Sequence, residues 1–488
     1  MNYRNALPIT ILTILVAVLL WPGLQGFARA DDKISFEHEW ALVELINGAR
    51  EDPLSAMVSL GMDPDEVIAD LPELAEILEE GLPPLNFNDI LYQAASGHTN
   101  DMLLNDYYSH DSPDGLTFED RIRESGYDPA VCGETLGMVG FANFISPDDA
   151  VEILFENMLR DELNPSRSEE RAILNPDFDD IGVAIGAGAL TVGGHLFNVY
   201  IVTSDFGSVY PPPHLQEDGE KVFLQLMNQA RARLPDVVVS LGMDPAELFS
   251  ALPGLYDLLT TGVPPLGPDE VLGGAARAHT AKMLENSYYG HNSPDGGAYD
   301  ERIEEAGYDA ALTGESLSLL GFDTYIDPVV AAGLMFENML QYELNSMGEE
   351  QSNILDPDLK EVGVGLGVGP LEIGRGERDV YLATADFGAR SGEQPLYLTG
   401  VVYEDGNGDD LYTPGEGLPS VEITIEPEDT GVAEAGEAVL TDRAGGFAYV
   451  AEAGPYRVVA RLPGGDEERF VVIGRENAGM EFMVRPVM

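Results

Sequence analysis

Two histidines of this chain stand in nearly identical surroundings. His110 lies in YYSHDSPDG and His291 in YYGHNSPDG, and each is followed 24 residues later by a glutamate, Glu134 or Glu315, in a Gly-Glu pair. An imidazole beside a carboxylate can bind a divalent metal ion, or it can activate water as a general base. The two side chains can equally just hydrogen-bond and orient each other. The spacing therefore predicts two sites, in each of which the histidine contacts its glutamate directly or through a water molecule. It does not distinguish among these three roles.

The sequence offers these histidines no partner nucleophile at a fixed spacing. Cys132, the only cysteine, precedes Gly133-Glu134, but Thr313 takes its place before Gly314-Glu315. The chain contains neither H-E-x-x-H nor G-x-S-x-G. These patterns favour a binding protein over an enzyme. A single cysteine also excludes an intrachain disulfide.

A second chemical signal is the acidic stretch DGNGDDLYTPGE near the C-terminus. Its oxygen donors follow EF-hand spacing, at loop positions one, three, five, seven and twelve: Asp405, Asn407, Asp409, the carbonyl of Leu411, and Glu416. Position six is Asp410 instead of the usual glycine, and strand-like runs flank the loop. The spacing predicts a calcium site in this part of the chain. The alternative is a solvated acidic turn.

The two histidine stretches belong to a longer repeat with an offset of 181 residues. The same offset joins Asn47 and Arg50 to Asn228 and Arg231, and it joins the run Asp205-Phe206-Gly207 to Asp386-Phe387-Gly388. A period of this length indicates a duplicated domain, because solenoid repeats are much shorter. Three prolines at 211–213 form the seam and favour an extended spacer.

Within each copy, helical patterns come first and strand patterns last. In the first copy, residues 37–50 form an amphipathic helical pattern, and a second helix is predicted over about 88–105. His98 falls on the apolar stripe of that second helix, so we expect it to be buried and structural. Strand-like runs follow at 181–192 and 195–207. This order predicts an α/β fold with helices packed on a sheet.

The ordered set of motifs, seen twice, resembles the CAP superfamily, which comprises cysteine-rich secretory proteins, antigen 5 and pathogenesis-related 1 proteins (SCP/TAPS). In the first copy the resemblance is carried by Asn47-x-x-Arg50, Ala94-Ala95-x-x-His98, Ser109-His110, Ser112-Pro113-Asp114-Gly115, Gly133-Glu134, Ile173-Leu174-Asn175-Pro176 and Asp205-Phe206-Gly207. It implies a three-layer α-β-α sandwich with a cleft on one face. The family cleft presents two histidines and two acidic residues, often around a divalent metal ion.

Each copy of the repeat matches two of those four cleft positions. The matching residues are His110 and Glu134 in the first copy and His291 and Glu315 in the second. The other two depart from the family pattern, because the run before Ile173 or Ile354 is longer and contains no histidine. The resemblance places Glu169 and Glu350 where the second histidine would fall, and it aligns Glu162 and Glu343 with the remaining acidic position. One histidine with carboxylates makes a weaker zinc site than two histidines, so magnesium, calcium or no metal becomes more plausible.

After residue 395, short runs alternate apolar and polar residues between turn signals, which predicts an all-β, Ig-like sandwich. The string GVVYEDGNGDDLYTPGEGLPSVEITIE resembles the SdrD B-like repeats of surface adhesins, and also carboxypeptidase regulatory-like and Cna B-type domains. In adhesins such modules are stalks stiffened by calcium. The predicted organisation is a signal peptide (1–30), two CAP domains (36–207 and 217–388) and this β-sandwich (396–488).

Composition and the N-terminus bear on location and partners. The chain has 86 acidic and 25 basic residues, a formal net charge of −61, which excludes nucleic acids and anionic lipid headgroups as natural partners. A high-salt habitat and an acidic, calcium-binding secreted protein both explain the bias. Residues 1–30 combine Arg4, an apolar run and Ala28-Arg29-Ala30, typical of a cleaved signal peptide. An uncleaved anchor is the alternative. No later run is apolar enough to span a membrane.

These observations lead to three hypotheses. The first is a secreted or extracytoplasmic binding protein whose clefts take a lipid or another apolar ligand, or an envelope component with a cell-surface partner. The second is a metal-assisted hydrolase that uses His110 with Glu134 and His291 with Glu315. The third is a structural surface protein whose clefts are vestigial.

Overall fold

In the computed structural model, the chain forms two compact units, Met1–Pro211 and Pro212–Met488. The structure describes residues 9–15, 33–141, 145–165, 171–251, 261–346, 352–373, 376–428 and 437–486. Of the predicted signal segment 1–30, only Ile9–Leu15 is described, as a strand. The predicted cleavage site at 28–30 lies outside the described residues.

The first unit combines helices with a mixed sheet. The helices are α1 (Phe36–Glu51), α2 (Pro53–Ser59), α3 (Pro64–Asp70), α4 (Ala75–Glu80), α5 (Asp89–Asn105), α6 (Phe118–Glu124) and α7 (Pro147–Glu162). The strands are β1 (Ile9–Leu15), β2 (Asn86–Phe87), β3 (Val131–Phe141), β4 (Asp180–Val192) and β5 (His195–Ser208). Their order in the sheet is β1-β3-β5-β4-β2, with β5 antiparallel to both β3 and β4.

Helices pack on the sheet through one large core and through small residues of β4. The main core joins α1 and α7 to alternate residues of β4, including Ile181 and Val183. Gly182, between them, lies against α5: a Cβ atom there would stand 2.1 Å from the backbone nitrogen of Tyr92. Glycine therefore permits the close approach of α5 to the sheet. These contacts confirm the predicted α/β character.

A buried arginine of α1 donates hydrogen bonds to two neighbouring loops. Arg50 is 1% exposed, and its guanidinium donates to the carbonyls of Pro83, Ile173 and Asn175 at 2.8–2.9 Å. Asn47, one turn earlier, exchanges two hydrogen bonds with the backbone of Leu85. The Asn-x-x-Arg motif thus holds the loops that precede α5 and β4.

The second unit contains a further helix-and-sheet region and a strand-rich C-terminal region. Its helices are α8 (Pro213–Ser240), α9 (Pro245–Ala251), α10 (Glu270–Glu285), α11 (Tyr299–Glu305) and α12 (Pro328–Ser346). One sheet has the order β6-β8-β9-β7, from β6 (Gly267–Pro268), β7 (Ala310–Phe322), β8 (Glu361–Ile373) and β9 (Gly376–Arg390). The contacts of Asn47 and Arg50 recur here, as Asn228 with Leu266 and as Arg231 with the carbonyls of Pro264, Ile354 and Asp356.

The C-terminal region consists of two sheets. Its strands are β10 (Leu396–Glu404), β11 (Glu422–Pro427), β12 (Glu437–Leu440), β13 (Gly446–Ala451), β14 (Gly454–Leu462), β15 (Gly465–Ile473) and β16 (Ala478–Val484). They pair in the orders β13-β10-β16 and β12-β11-β14-β15. A shared apolar cluster includes Leu398, Ile423, Val458 and Phe482.

The acidic loop after β10 packs on helix α8 of the same unit. Leu411 and Tyr412 belong to the core that contains Phe223 of α8. The amide of Gln229 also brackets the backbone of Tyr412, accepting from its N–H at 2.6 Å and donating to its carbonyl at 3.1 Å. The predicted modules 217–388 and 396–488 therefore share one compact unit.

Candidate functional site

The loop that carries His110 is shaped by a helix end and a tight turn. Helix α5 ends at Asp106, whose φ of 55° is left-handed. Ser112 then closes a turn, accepting from Gly115 N–H and donating its own N–H to the Leu116 carbonyl. The loop thereby places His110 against strand β3. In the second unit, α10 ends at Glu285, and the left-handed residue is Ser287, with φ 47°, two positions later.

Each histidine bonds directly to its glutamate, and an arginine completes the group. His110 Nδ1 lies 2.7 Å from Glu134 Oε1, and Arg121 Nη2 donates to Glu134 Oε2 at 2.7 Å. We call these three residues the first His–Glu–Arg cluster. The predicted proximity of His110 and Glu134 is thus seen in the structure. From the sequence alone, this arginine has no predicted role in the site.

The second His–Glu–Arg cluster consists of His291, Glu315 and Arg302. His291 Nδ1 lies 2.7 Å from Glu315 Oε1, and Arg302 donates to the other carboxylate oxygen of Glu315. Both oxygens of each glutamate are therefore engaged by cationic or ring N–H groups. Such a carboxylate anchors its neighbours and has little capacity left for a further cation.

A buried aspartate lies beside each cluster. Glu134 on β3 is the register partner of Asp205 on β5, and both are buried. Burial and then the negative charge of Glu134 hold the pKa of Asp205 well above its ordinary value. Burial would also raise the pKa of Glu134, but the hydrogen bond from His110 and the charge of Arg121 outweigh it and lower that pKa. The pair therefore favours one charged and one protonated carboxyl group.

The two clusters differ in access to solvent. The His110 side chain is 7% exposed, whereas that of His291 is 54% exposed. His110 Nε2 is buried and has no hydrogen-bond partner in the described part of the chain. Because Nδ1 is already hydrogen-bonded to the glutamate in both clusters, Nε2 is the ring nitrogen that can bond to a ligand. The second cluster presents that atom at the surface.

Several tyrosines lie near the second cluster. Tyr289 and Tyr342 are 45% and 68% exposed, and the Tyr299 ring lies edge-on to His291 with centroids 6.4 Å apart. Burial, followed by the charges of Tyr342 and Glu315, raises the pKa of Tyr289 to about 12. The second cluster thus has neutral aromatic neighbours, each with an apolar ring and a polar hydroxyl.

His98 and its counterpart His279 are structural, as predicted for His98. Both are buried, and their Nε2 atoms donate to the carbonyls of Ser109 and Gly290 at 2.9 and 3.1 Å. Burial lowers the pKa of both imidazoles, which favours the neutral ring. Each thereby fixes the backbone just before the site histidine.

Glu162 and Glu343, the other predicted cleft residues that the structure describes, bond to loop backbone and serine groups. Glu162 is buried and accepts from the backbone N–H groups of Ala172 and Ile173 at 2.7 and 2.9 Å, so it folds the loop after α7. Burial raises its pKa to about 7 despite those bonds. Glu343 accepts from Ser316, Ser352 and the Ile354 backbone. Glu169 and Glu350 lie outside the described residues.

The described residues do not form a divalent-metal centre at either cluster. Within each cluster, Nε2 of the imidazole is the described atom left open to a metal ion, and the arginine guanidinium holds the place on the glutamate that a cation would take. The neighbouring Asp205 and Asp386 have oxygens without hydrogen-bond partners in the described ranges, but their raised pKa values favour neutral carboxyl groups, which are poor metal ligands. More generally, no three His, Cys, Asp or Glu side chains of the described ranges are arranged to hold a metal ion. A metal in the clefts remains an untested prediction that these donor sets do not support.

The thiol of Cys132, next to the first cluster, is a weak nucleophile at neutral pH. Burial raises the pKa of Cys132 to about 12, so the nucleophilic thiolate is scarce at neutral pH. Neither His110 nor His291 has a hydrogen bond to a serine, threonine or cysteine among the described residues. The clusters thus lack an activated nucleophile in the part of the chain that the structure describes.

The predicted calcium loop is closed by its own backbone amides. Asp405 Oδ1 accepts from the N–H groups of Gly408 and Asp409, and Glu416 Oε1 accepts from Gly406 N–H at 2.9 Å. Asp410, at position six, has a left-handed φ of 61°, so it takes the turn that EF-hand loops assign to glycine. Asn407 reaches Asp409 and Thr413 with its side-chain amide, and the Leu411 backbone N–H donates to Asp409. The loop thus has a defined turn lined with carboxylate oxygens.

Comparison with known families gives one match. The CAP family, described as the cysteine-rich secretory protein family, matches residues 43–203 and 224–372. These two segments contain both His–Glu–Arg clusters. No curated protein matches the chain. No helix within the described ranges combines the length and apolar character needed to cross a membrane.

Solved structures show distant similarity. An extracellular protein containing an SCP domain from Bacillus anthracis str. Ames is 17% identical over 40% of this chain and 54% of that one, with a TM-score of 0.23. The match therefore spans about half the length of that protein. An outer surface protein from Borrelia burgdorferi is 22% identical over 30% of this chain and 96% of that one, with a TM-score of 0.18. A DUF3823 family protein from Bacteroides ovatus is 18% identical over 18% of this chain and 44% of that one, with a TM-score of 0.15.

Proposed function

Because this chain belongs to the cysteine-rich secretory protein (CAP) family, we propose that it is an exported, tandem CAP-domain binding protein rather than an enzyme. Its ligand is a neutral molecule with an apolar body and a polar tip, of the lipid class. The signal-like residues 1–30 direct export, and the repeat with offset 181 reflects duplication of the whole domain. The C-terminal strand-rich region acts as an Ig-like, SdrD B-like calcium-binding module that links the protein to the cell envelope or surface.

One observation carries the choice of binding over catalysis: in each cluster the glutamate pairs with both its histidine and its arginine, and Nε2 is the imidazole nitrogen left to contact a ligand. In the second cluster, Arg302 and His291 occupy both oxygens of Glu315. Covalent catalysis needs a side-chain nucleophile beside the general base, and no such side chain bonds to His291 in the described ranges. A free nitrogen beside tyrosine rings instead suits a ligand hydroxyl and the apolar group that carries it.

The net charge of the chain further restricts the class of ligand. With a net charge of −61, the surface repels anionic headgroups and free fatty acids at low salt. A neutral amphipath, such as a monoacylglycerol or a sterol, escapes this repulsion. Exposure of His291 and Tyr342 makes the second domain the principal binding domain in this proposal.

The test combines native mass spectrometry with thermal unfolding. The exported protein should retain a neutral lipid in native spectra, and added 1-monopalmitoylglycerol should raise its melting temperature by mass action. His291→Ala should abolish the shift, and His195→Ala, an exposed histidine on β5, should leave it unchanged.

Two outcomes would overturn the proposal. Metal-dependent turnover of a peptide, glycan or ester that is lost in His110→Ala/His291→Ala would establish the hydrolase alternative. Absence of bound lipid together with no thermal shift would favour the vestigial, structural alternative.

A further inference from the structure

A pocket of about 370 Å³ opens between helices α10 and α11 of the second unit. Its floor is built from small apolar residues of α10, including Val271, Ala275 and Ala278. This volume is within the range of small-molecule sites. The pocket lies along the helix pair with His279 in its lining, and His291 is not one of its lining residues.

Two cationic side chains line the pocket with unused donors. Lys282 makes no ion pair within the described part of the chain, although carboxylates abound on this surface. Arg302 Nε is buried without a hydrogen-bond partner among the described residues, while its terminal nitrogens bond to Glu315 and to the His291 carbonyl. A buried, unsatisfied N–H group costs free energy, which an acceptor entering the pocket would recover.

The first unit carries different side chains at the equivalent place. There, Asp101 stands at the position of Lys282, and it accepts a 2.5 Å hydrogen bond from the Tyr107 hydroxyl. In the second unit the Tyr288 hydroxyl has only long contacts among the described residues, 3.3 Å to Ser293 Oγ and 3.4 Å to His279 Nδ1. The second unit thus retains the tyrosine donor and lacks the built-in carboxylate.

A second replacement clears space at the same helix face. The position of Gln93 in the first unit is Gly274 in the second, and a Cβ atom at Gly274 would meet nothing within 4 Å. A side chain is therefore not excluded there by crowding. Its absence widens the pocket.

We infer that this pocket binds a small zwitterion of the amino-acid class, whose carboxylate takes the place that Asp101 fills in the first unit. Lys282, Arg302 Nε and the Tyr288 hydroxyl are the donors to that carboxylate. Glu305 and Glu270, at the rim, receive the ligand ammonium group, and the alanine floor receives an aliphatic side chain. These rim carboxylates favour a zwitterion over a simple anion. The inference is independent of the lipid proposal.

The test is calorimetric titration of the full chain with L-leucine, and with L-leucinamide as the probe that lacks a carboxylate. Leucine should bind, and leucinamide should bind at least about tenfold more weakly, as expected for loss of a charge-assisted group. Lys282→Asp introduces the carboxylate that the first unit has at this position, and Gly274→Gln introduces the larger side chain of the first unit. Each should weaken leucine binding at least about tenfold. Ala281→Asn, a neighbouring exposed position that also takes its first-unit counterpart, is the matched control.

Several results would overturn the inference. These are absence of leucine binding at millimolar concentrations, equal binding of leucinamide, or unchanged leucine binding in both Lys282→Asp and Gly274→Gln. Thermal unfolding of each variant establishes that it is folded. Since Gly274→Gln leaves the formal charge unchanged, its effect separates filling of the pocket from a general electrostatic change.

Discussion

Glu315 and Asp386 face each other as register partners on the antiparallel strands β7 and β9, with both carboxyl groups buried. Burial, followed by the negative charge of Glu315, raises the pKa of Asp386 to about 9. The folded protein therefore holds a proton on Asp386 at neutral pH, where an unfolded chain would have released it. Each His–Glu–Arg cluster thus stands beside a buried aspartate whose raised pKa favours the protonated carboxyl group.

Asp386→Asn tests this arrangement through pH dependence. Between about pH 4 and pH 9 the folded chain binds the Asp386 proton and the unfolded chain does not, so this group's contribution to the free energy of unfolding falls as pH rises. The slope reaches about 1.4 kcal/mol per pH unit. An amide cannot ionise, so the variant should lose this slope and gain stability relative to the wild type as pH rises. Urea unfolding at pH 5, 7 and 9 measures the difference.

The matched control for this prediction is Asp358→Asn, at an exposed position in the same unit. It should keep the wild-type dependence on pH. If the free energy of unfolding of Asp386→Asn had the same pH dependence as that of the wild type, a proton held on Asp386 in the folded protein would be ruled out.

Local patterns predicted the elements well where the sequence is periodic. The helical pattern over 37–50 corresponds to α1, Phe36–Glu51, and the pattern over 88–105 to α5, Asp89–Asn105. The strand patterns at 181–192 and 195–207 correspond to β4 and β5. These segments bury one face or stripe, so apolar spacing reports their structure directly.

Other features needed the three-dimensional structure. Strand β3 is buried on both faces over most of its length, so it lacks the alternation that marks a strand. The roles of Arg121 and Asp205 depend on a loop crossing and on sheet register, which no local spacing encodes. The packing of Tyr412 on Gln229 joins residues 183 positions apart, so neither predicted module could reveal it alone.

The difference in exposure between the site histidines predicts different chemical reactivity. Diethyl pyrocarbonate should modify His291 quickly, because its side chain is 54% exposed, and His110 much more slowly, because its side chain is 7% exposed. Peptide mass spectrometry over a time course measures both rates in one sample. His195, exposed on β5, supplies the reference rate for an accessible imidazole. Equal rates at His110 and His291 would contradict the proposed accessibility of the second site alone.

The buried arginines predict a large loss of stability. Arg231→Ala removes a guanidinium that is 1% exposed and leaves the carbonyls of Pro264, Ile354 and Asp356 without their donor. Unsatisfied buried acceptors cost about 1–3 kcal/mol each, so we expect a loss of about 3 kcal/mol or more. Chemical unfolding measures it. Arg461→Ala, at a side chain 61% exposed, should change stability by less than about 1 kcal/mol, and a similar effect of both variants would refute the role of Arg231.

The acidic loop predicts calcium-dependent stability of the second unit. Burial, together with the charge of Asp409, raises the pKa of Glu416 despite its backbone hydrogen bonds, so the carboxylates repel one another without a cation. Calcium that binds only the folded loop should add about 2.7 kcal/mol at a hundredfold excess over the dissociation constant. Because Tyr412 packs on α8, the full chain is the sample, melted with and without millimolar calcium. Glu416→Gln should lose most of the shift, and Glu404→Gln, just outside the loop, should keep it. An unaltered melting temperature of the wild type on adding calcium would make the loop an acidic turn.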